Sequence, residues 1–286
     1  MLTLLPTPIG NLADITLRAL KVLADSDVLM CEDIRVSKKL ISLLEKNPLV
    51  QDNFPTIFDT KQFISFHSHN EKEFLASVDK SFFEKNVVFM SDAGMPCVSD
   101  PGVSLVAYAI NNNIPYDVLP GASAGVNAYC FSGIHSDGFL FTGFLPHKQK
   151  DRKDHISNII KGISTLDQDI VIVMYESPHR ILKSLEDIAS LYPDADLFAI
   201  KEMTKVHQKF FHGKTIDVLE QIKKSNISGE WALVMSVEKV LEPSLSLTQV
   251  VQMDMPPKIK AKILAKLENK DIKTIYEEIC KEGQSK

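Results

Sequence analysis

The chain has 286 residues, 44% of them hydrophobic and 24% charged, with a formal net charge of −5. That composition is globular and long enough for two domains, and the acidic balance means any nucleic-acid contact must come from local basic patches. No apolar run is long enough to predict a transmembrane helix. The start, MLTLLPTPIGNLAD, lacks a basic segment and meets prolines at once, which predicts no secretory signal. Cys31, Cys97, Cys130 and Cys280 are far apart and form no C-x-x-C pair, so the thiols read as reduced and the protein as cytoplasmic.

In chain order, LTLLP predicts a strand, and DITLRALKVLADSD a helix with Asp14 as its N-cap. VLMCED and SKKLISLLEK predict a second strand and helix. Residues 47–61, with two prolines, predict a long loop. FISFHSH predicts strand three, and EKEFLASVDKSFFEK one helix. VVFMSD, GVSLVAYAINN and YDVLPG predict strand, helix and strand. Strands alternating with helices predict a parallel sheet with helices on its faces.

A second block follows. SAGVNAYCFSG predicts a helix, FLFTGFL a strand, DRKDHISNIIKGI a helix and DIVIVMY a strand. PHRILKSLEDIASLY predicts a helix with Pro178 in its first turn. LFAIKEM and HQKFFHG predict two strands, TIDVLEQIKK a helix and EWALVMSVE a last strand, so this sheet is expected to be mixed. The boundary is placed near Pro120–Gly121. The expected architecture is two α/β domains, 1–120 and 121–240, with a cleft between them and a small helical module over 245–286. That module carries eight lysines against six acidic residues over 250–286. Its lysines read as a solvated surface or, more sharply, as nucleic-acid contacts.

Four loops each follow an apolar strand and are rich in Gly, Pro and Ser: PTPIGN (6–11), SDAGMPCVSDPG (91–102), LPGASAG (119–125) and YESPHR (175–180). Ligands of open parallel sheets bind at the carboxyl ends of strands, where such loops gather. Any one of them reads as a tight turn; four together point to a small polar ligand held largely by backbone. The dinucleotide fingerprint, the Walker pattern and the G-x-S-x-G elbow are absent from the sequence. Charged candidates sit beside these loops: Glu32, Asp33 and Arg35 in CEDIR, Glu176, His179 and Arg180 in ESPHR, and Lys201, Glu202 and Lys205 in KEMTK. Each could equally be a surface salt bridge worth little. His67 and His69 alternate on strand three and so share a face. No cysteine or second H-x-H supports a metal site there, so no metal is expected, and an orienting or substrate-contact role is preferred.

The set PTPIGNLADITLRAL, EDIR, SDAGMPCVSDPG, LPGASA, ESPHR, KEMTK and GEWALV, in this order, resembles the small-subunit (16S) ribosomal RNA cytidine-2′-O-methyltransferases, a branch of the tetrapyrrole-methylase-like superfamily. The resemblance covers nearly the whole chain. It implies two α/β domains, S-adenosylmethionine in the cleft between them, a homodimer, and small-subunit ribosomal RNA or the small subunit as partner. The cofactor is then expected at Ile9, Gly10, Asp92, Ala93, Gly94, Met95, Ser123, Ala124, Tyr175, Trp231 and Ala232. Candidate bases are Glu32, Asp33 and Asp100, with Glu176 behind them. Arg18, Arg35, Lys38, Arg152, Lys153, Arg180 and Lys205 are candidates for phosphate contact, and His67, His69 and His179 for other RNA contacts. Three positions depart from the common pattern: Ile34 and Met95 stand where hydroxyl residues are usual, and Ala122 where proline is. A methylase of a tetrapyrrole or other small molecule, and a cofactor-bound RNA-binding assembly factor without turnover, are the alternatives.

Overall fold

Three four-residue apolar runs, buried along their whole length, make the centre of the first sheet: β1 (Leu2–Leu5), β2 (Val28–Cys31) and β4 (Val87–Met90). Continuous burial marks strands covered on both faces, as parallel sheets require. The structure, a computed structural model, describes residues 1–58, 61–238, 247–268 and 270–283. In chain order the first lobe runs β1, α1 (Leu17–Ala24), β2, α2 (Ile34–Glu45), α3 (Pro48–Asn53), β3 (Gln62–Ser65), α4 (Glu71–Ser77), β4, α5 (Val103–Asn111) and β5 (Tyr116–Val118). Its sheet has the order β3-β2-β4-β1-β5, and every pair is parallel. Alternation sorts the side chains. Leu5, Leu29, Cys31, Val88 and Met90 join the cluster on one face, and Leu4, Val28, Met30, Val87 and Phe89 the cluster on the other.

The second lobe runs α6 (Ala124–Ser132), β6 (Gly138–Phe144), α7 (Gln149–Ser164), β7 (Ile170–Glu176), α8 (Ile181–Leu191), β8 (Asp196–Lys201), β9 (Lys209–Lys214), α9 (Thr215–Lys223) and β10 (Trp231–Ser236). The sheet order is β6-β7-β10-β8-β9, with β6–β7 parallel and the other pairs antiparallel, as its hairpin-like end predicts. Residues of α7, α8 and α9 pack on one face around Trp231 and Leu233; Ala128 of α6 packs with Val173, Phe198 and Ile200 on the other. Pro120–Gly121 falls in the connection from β5 to α6. Both lobes belong to one compact unit, Met1–Glu238, and Lys239–Lys286 form a second. The second unit holds α10 (Leu247–Gln252), α11 (Pro257–Glu268) and α12 (Ile272–Gly283), closed over Val250, Ala261, Leu264, Ala265 and Ile275. No helix among the described residues is long and apolar enough to cross a membrane.

Several elements differ from the sequence expectation. α1 starts after Thr16, whose hydroxyl accepts from the Ala19 N–H at 3.0 Å, while Asp14 ends a separate 3-10 turn. Residues 47–58 are not a loop. Asn47 caps α3 and Pro48 begins it, a 3-10 turn follows at Pro55–Phe58, and Val50 and Ile57 are buried; 59–61 of the expected loop lie partly outside the described residues. The helix expected over 71–85 ends at Ser77, and Asp79 caps a 3-10 turn over Lys80–Glu84. α8 begins at Ile181 rather than Pro178, because the N–H groups of Arg180 and Ile181 both close a turn on the Ser177 carbonyl.

One buried ion pair fastens α7 to α8. Arg152 Nε donates to Asp187 Oδ2 at 2.9 Å, its Nη1 donates to the carbonyls of Pro146 and His147, and Gln149 Nε2 donates to Asp187 Oδ1 at 2.7 Å. Both charged side chains are buried, 4% and 2% exposed. Asp187→Ala is expected to cost about 3–5 kcal/mol, since it leaves a guanidinium buried without its counter-charge. Urea denaturation measures this, and a loss under about 1 kcal/mol would show that Arg152 finds another partner.

Candidate active site

The four Gly/Pro loops converge at the carboxyl edge of the first sheet. Thr7 and Gly94 exchange both backbone hydrogen bonds (2.9 and 3.0 Å), tying the 6–11 loop to the 91–102 loop. Gly94 holds φ +85°, and a Cβ there would lie 3.2 Å from Ile9 Cγ2, so the turn needs glycine for conformation and space alike. From the second lobe, the ends of β7 and β10 pair Tyr175 with Ala232 and Glu176 with Trp231. The Tyr175 hydroxyl accepts from the Gly125 N–H at 2.8 Å, fixing the start of α6.

These loops enclose a cavity of about 430 Å³. Ten of the eleven residues expected at a cofactor line it: Ile9, Asp92, Ala93, Gly94, Met95, Ser123, Ala124, Tyr175, Trp231 and Ala232. Gly10 does not. Its Cα faces the other lobe, where a Cβ would meet Thr204 Oγ1 and Lys205 Cγ at 2.5 Å. The cavity also uses Ile200, Met203 and Phe144, which were not among the expected site residues; Ile200 precedes the KEMTK motif, Met203 is its third residue, and Phe144 closes FLFTGF. Its charged lining is one-sided. Glu32, Asp92, Asp100, Glu176 and Glu230 contribute five carboxylates, and among the described residues no Lys, Arg or His lines the wall.

The carboxylates are not equivalent. Burial, with the charges of Glu32 and Asp92 behind it, pushes Asp100 up to about 7. Burial likewise raises Glu32, and Asp92, which accepts from the Asp33 N–H at 3.0 Å. Asp33 lies outside the cavity. It caps α2 and grips Arg35 with both oxygens, and those hydrogen bonds hold it down at about 2. Glu176 is at the cavity, but Ser177 N–H, Arg180 and Ser184 occupy its oxygens at 2.8, 2.6 and 2.5 Å. Asp33 and Glu176 are therefore committed to structure, each of their oxygens already accepting at least one hydrogen bond.

The residues expected at RNA are scattered. Arg152 is buried against Asp187 and presents no charge to a phosphate, which removes it from that role. Arg180, 16% exposed, is held by Glu176 and the Leu145 carbonyl. Lys205 bridges Glu202 (3.0 Å) and Glu230 (2.9 Å), and Arg18 pairs with Asp117 on β5. Lys38 lies over the Phe63 ring, Lys153 stands 3.6 Å from Asp187, Arg35 is paired but exposed, and His179 is exposed in its turn. His67 and His69 are not on a strand, because β3 ends at Ser65. Asn70 closes the turn instead, accepting from the His67 N–H and donating to the Ser65 carbonyl, both at 2.8 Å.

The model of the tetrapyrrole (corrin/porphyrin) methylases matches residues 1–218. A ribosomal RNA small subunit methyltransferase I of Helicobacter pylori strain J99 is 51% identical over 277 residues, covering 96% of both chains. The chain belongs to the ribosomal RNA small subunit methyltransferase I family. The protein of that name from Campylobacter fetus is 40% identical over 98% of this chain and 99% of its own. Solved structures of a diphthine synthase (TM-score 0.56, 16% identity, 82% of this chain and 89% of that one) and a cobalt precorrin-4 methyltransferase (0.55, 14%, 82% and 94%) share the tetrapyrrole-methylase fold.

Within this methyltransferase family the three departures are absorbed differently. Ile34 opens α2 and packs on the cluster around Leu29, Leu44 and Val50, and Ala122 packs against the cluster of Ile9, Val173 and Ala232. Met95 faces the cavity, so there the lost hydroxyl is replaced by apolar wall. Asp100 gives a stability signature. Its folded pKa lies above the unfolded value, so its contribution is fully present below about pH 4 and is lost as pH rises through about 7. Asp100→Asn is expected to gain on the wild type in urea unfolding between about pH 4 and 8; parallel pH profiles would show that Asp100 is not perturbed.

Proposed function

We propose that the chain transfers the methyl group of S-adenosylmethionine to a cytidine ribose 2′-hydroxyl of 16S ribosomal RNA, as a homodimer in the cytoplasm. The observation that carries the cofactor is the cavity's charge: among the described residues no cationic side chain lines it, and of its five carboxylates only Glu176 and Glu230 have ion-pair partners, leaving Glu32, Asp92 and Asp100 facing one space. Such a wall favours a ligand with a positive centre, and a sulfonium is one. Apolar walls at Ile9, Ile200, Met203 and Trp231 suit an adenine, and the 430 Å³ volume is in the range of small-molecule sites. Gly94 leaves backbone open to the ligand where a Cβ would crowd Ile9.

Bound there, the cofactor supplies an electrophilic methyl group. The protein's share is position and proton handling. The loops fix the hydroxyl relative to the cavity, and orientation of this kind supplies much of the rate gain when reacting atoms are held about 3–3.5 Å apart. Asp100 is assigned as the base that receives the hydroxyl proton, since its pKa of about 7 is matched to neutral pH. Glu32 stands with it and raises its basicity by like-charge repulsion. Support for ribosomal RNA as the acceptor comes from relatives whose name states it.

The test is incubation with methyl-labelled S-adenosylmethionine and small ribosomal subunits, naked RNA or a tetrapyrrole precursor, followed by mapping of the labelled atom. Label on a cytidine 2′-oxygen is expected; label in the tetrapyrrole, or on a base, would overturn the reading. Asp100→Asn is expected to lower kcat by about 10²–10⁴-fold with cofactor affinity changed far less. The wild-type kcat/KM should rise as pH passes about 7 and then level, following the ionisation of Asp100.

A further inference from the structure

A second cavity, about 600 Å³, opens beside the first and shares Glu32, Ser99 and Asp100 with it. Its other walls come from the turn before α4 and the first turns of α4 and α5: Ser68, Glu71, Gly102 and Ser104, with Ala107 beyond. It too is lined by carboxylates, with no cation among the described residues, so it repels phosphate. The occupant it suits carries no negative charge, presents a hydrogen-bond donor, and lies close enough to Asp100 to reach the first cavity.

Glu71 is the most determined group in it. Its Oε2 accepts from the Ser104 hydroxyl at 2.6 Å, which fixes the carboxylate against α5. The backbone that presents it is fixed as well, because Asn70 bonds to the His67 N–H and the Ser65 carbonyl. A half-buried carboxylate held from one side offers its remaining lone pairs to a donor in the cavity. A cytosine presents one, the exocyclic amine, whereas a uracil presents a carbonyl oxygen at the same place, which a carboxylate repels.

Resting on the function proposed above, we infer that this second cavity receives the base of the target nucleoside and that Glu71, oriented by Ser104, accepts from the cytosine amine and rejects uracil. The ribose of the same nucleoside then lies at the shared wall, beside Asp100. Glu71 is a specificity residue in this assignment, and Ser104 a positioning residue acting through it.

The test uses small subunits reconstituted with RNA carrying cytidine or uridine at the position where the wild-type enzyme places the label. Glu71→Gln keeps the shape but gives the side chain a donor as well as an acceptor. It is expected to cut the cytidine-over-uridine ratio of kcat/KM by roughly 10–100-fold, the range of one good base-specific pair, while cofactor affinity, measured by calorimetry, stays as in the wild type. Ser104→Ala is expected to lower the same ratio by a smaller factor. A Glu71→Gln enzyme that binds cofactor normally and keeps the wild-type ratio, or loses activity equally on both RNAs, overturns the assignment while the methylation reading stands. A wild-type enzyme that labels no RNA ribose overturns both. Should Glu71→Gln fail to bind cofactor, the ratio in Ser104→Ala decides, and an unchanged ratio there counts against the assignment.

Discussion

The segment Pro6–Asn11 is pinned from two sides, and the site depends on it. On one side, Thr7 and Gly94 share a two-bond bridge within the first lobe. On the other, Asn11 N–H donates to Thr204 Oγ1 at 3.0 Å, and Gly10 lies so close to Met203, Thr204 and Lys205 that no side chain fits. The receiving loop is itself held in an unusual shape, with Glu202 and Thr204 at φ 50° and 64°. Non-glycine residues in that region cost free energy and persist only where surroundings impose them. Lys205, bridging Glu202 and Glu230, together with the Glu202 carboxylate accepting from Glu230 N–H, supplies that imposition. This contact between loops therefore sets where Ile9, Gly94 and Met203 stand around the first cavity.

Charge is distributed with a division of labour. Basic residues beside the site are spent on structure: Arg180 on Glu176, Lys205 on two glutamates, Arg152 on Asp187. Unpaired acidity is concentrated inside, where burial raises the pKa of Glu32, Asp92 and Asp100, with repulsion from Asp92 added at Glu32 and from Glu32 and Asp92 at Asp100. Leaving carboxylates crowded without counter-ions costs stability, and the stable interior clusters on both faces of each sheet offset it.

How legible this was follows from the range of the interactions. Strand positions and sheet types could be read because β1, β2, β4 and β7 are continuous apolar runs, and continuous burial leaves its mark residue by residue. Helix starts were misplaced where the deciding bond was a local choice between neighbours: Thr16 over Asp14, or the Ser177 turn over Pro178. The 47–58 segment misled because two prolines outweighed Val50, Phe54 and Ile57, whose spacing is helical. At the site, the loop motifs located the cavity wall but could not tell an available carboxylate from a committed one. Asp33 and Glu176 look like Glu32 and Asp100 in the sequence; only the positions of Arg35 and Arg180 separate them.

The shared wall of the two cavities couples them electrostatically. Asp100 is raised to about 7 by burial and by neighbours of its own sign. A cation in the first cavity favours its ionised form, and a neutral ligand there does not. Under the proposed reading, Asp100 is therefore a better-populated base when a sulfonium is bound beside it and reverts toward the protonated state once that charge is gone. An uncharged base in the second cavity has a different effect: it excludes water from Glu32 and Asp100 and strengthens each interaction between them. Binding on one side ionises the carboxylate, and binding on the other raises the proton affinity of that ionised group. The arrangement makes proton removal most favourable when both spaces are filled, which is the condition a transfer between two bound partners requires.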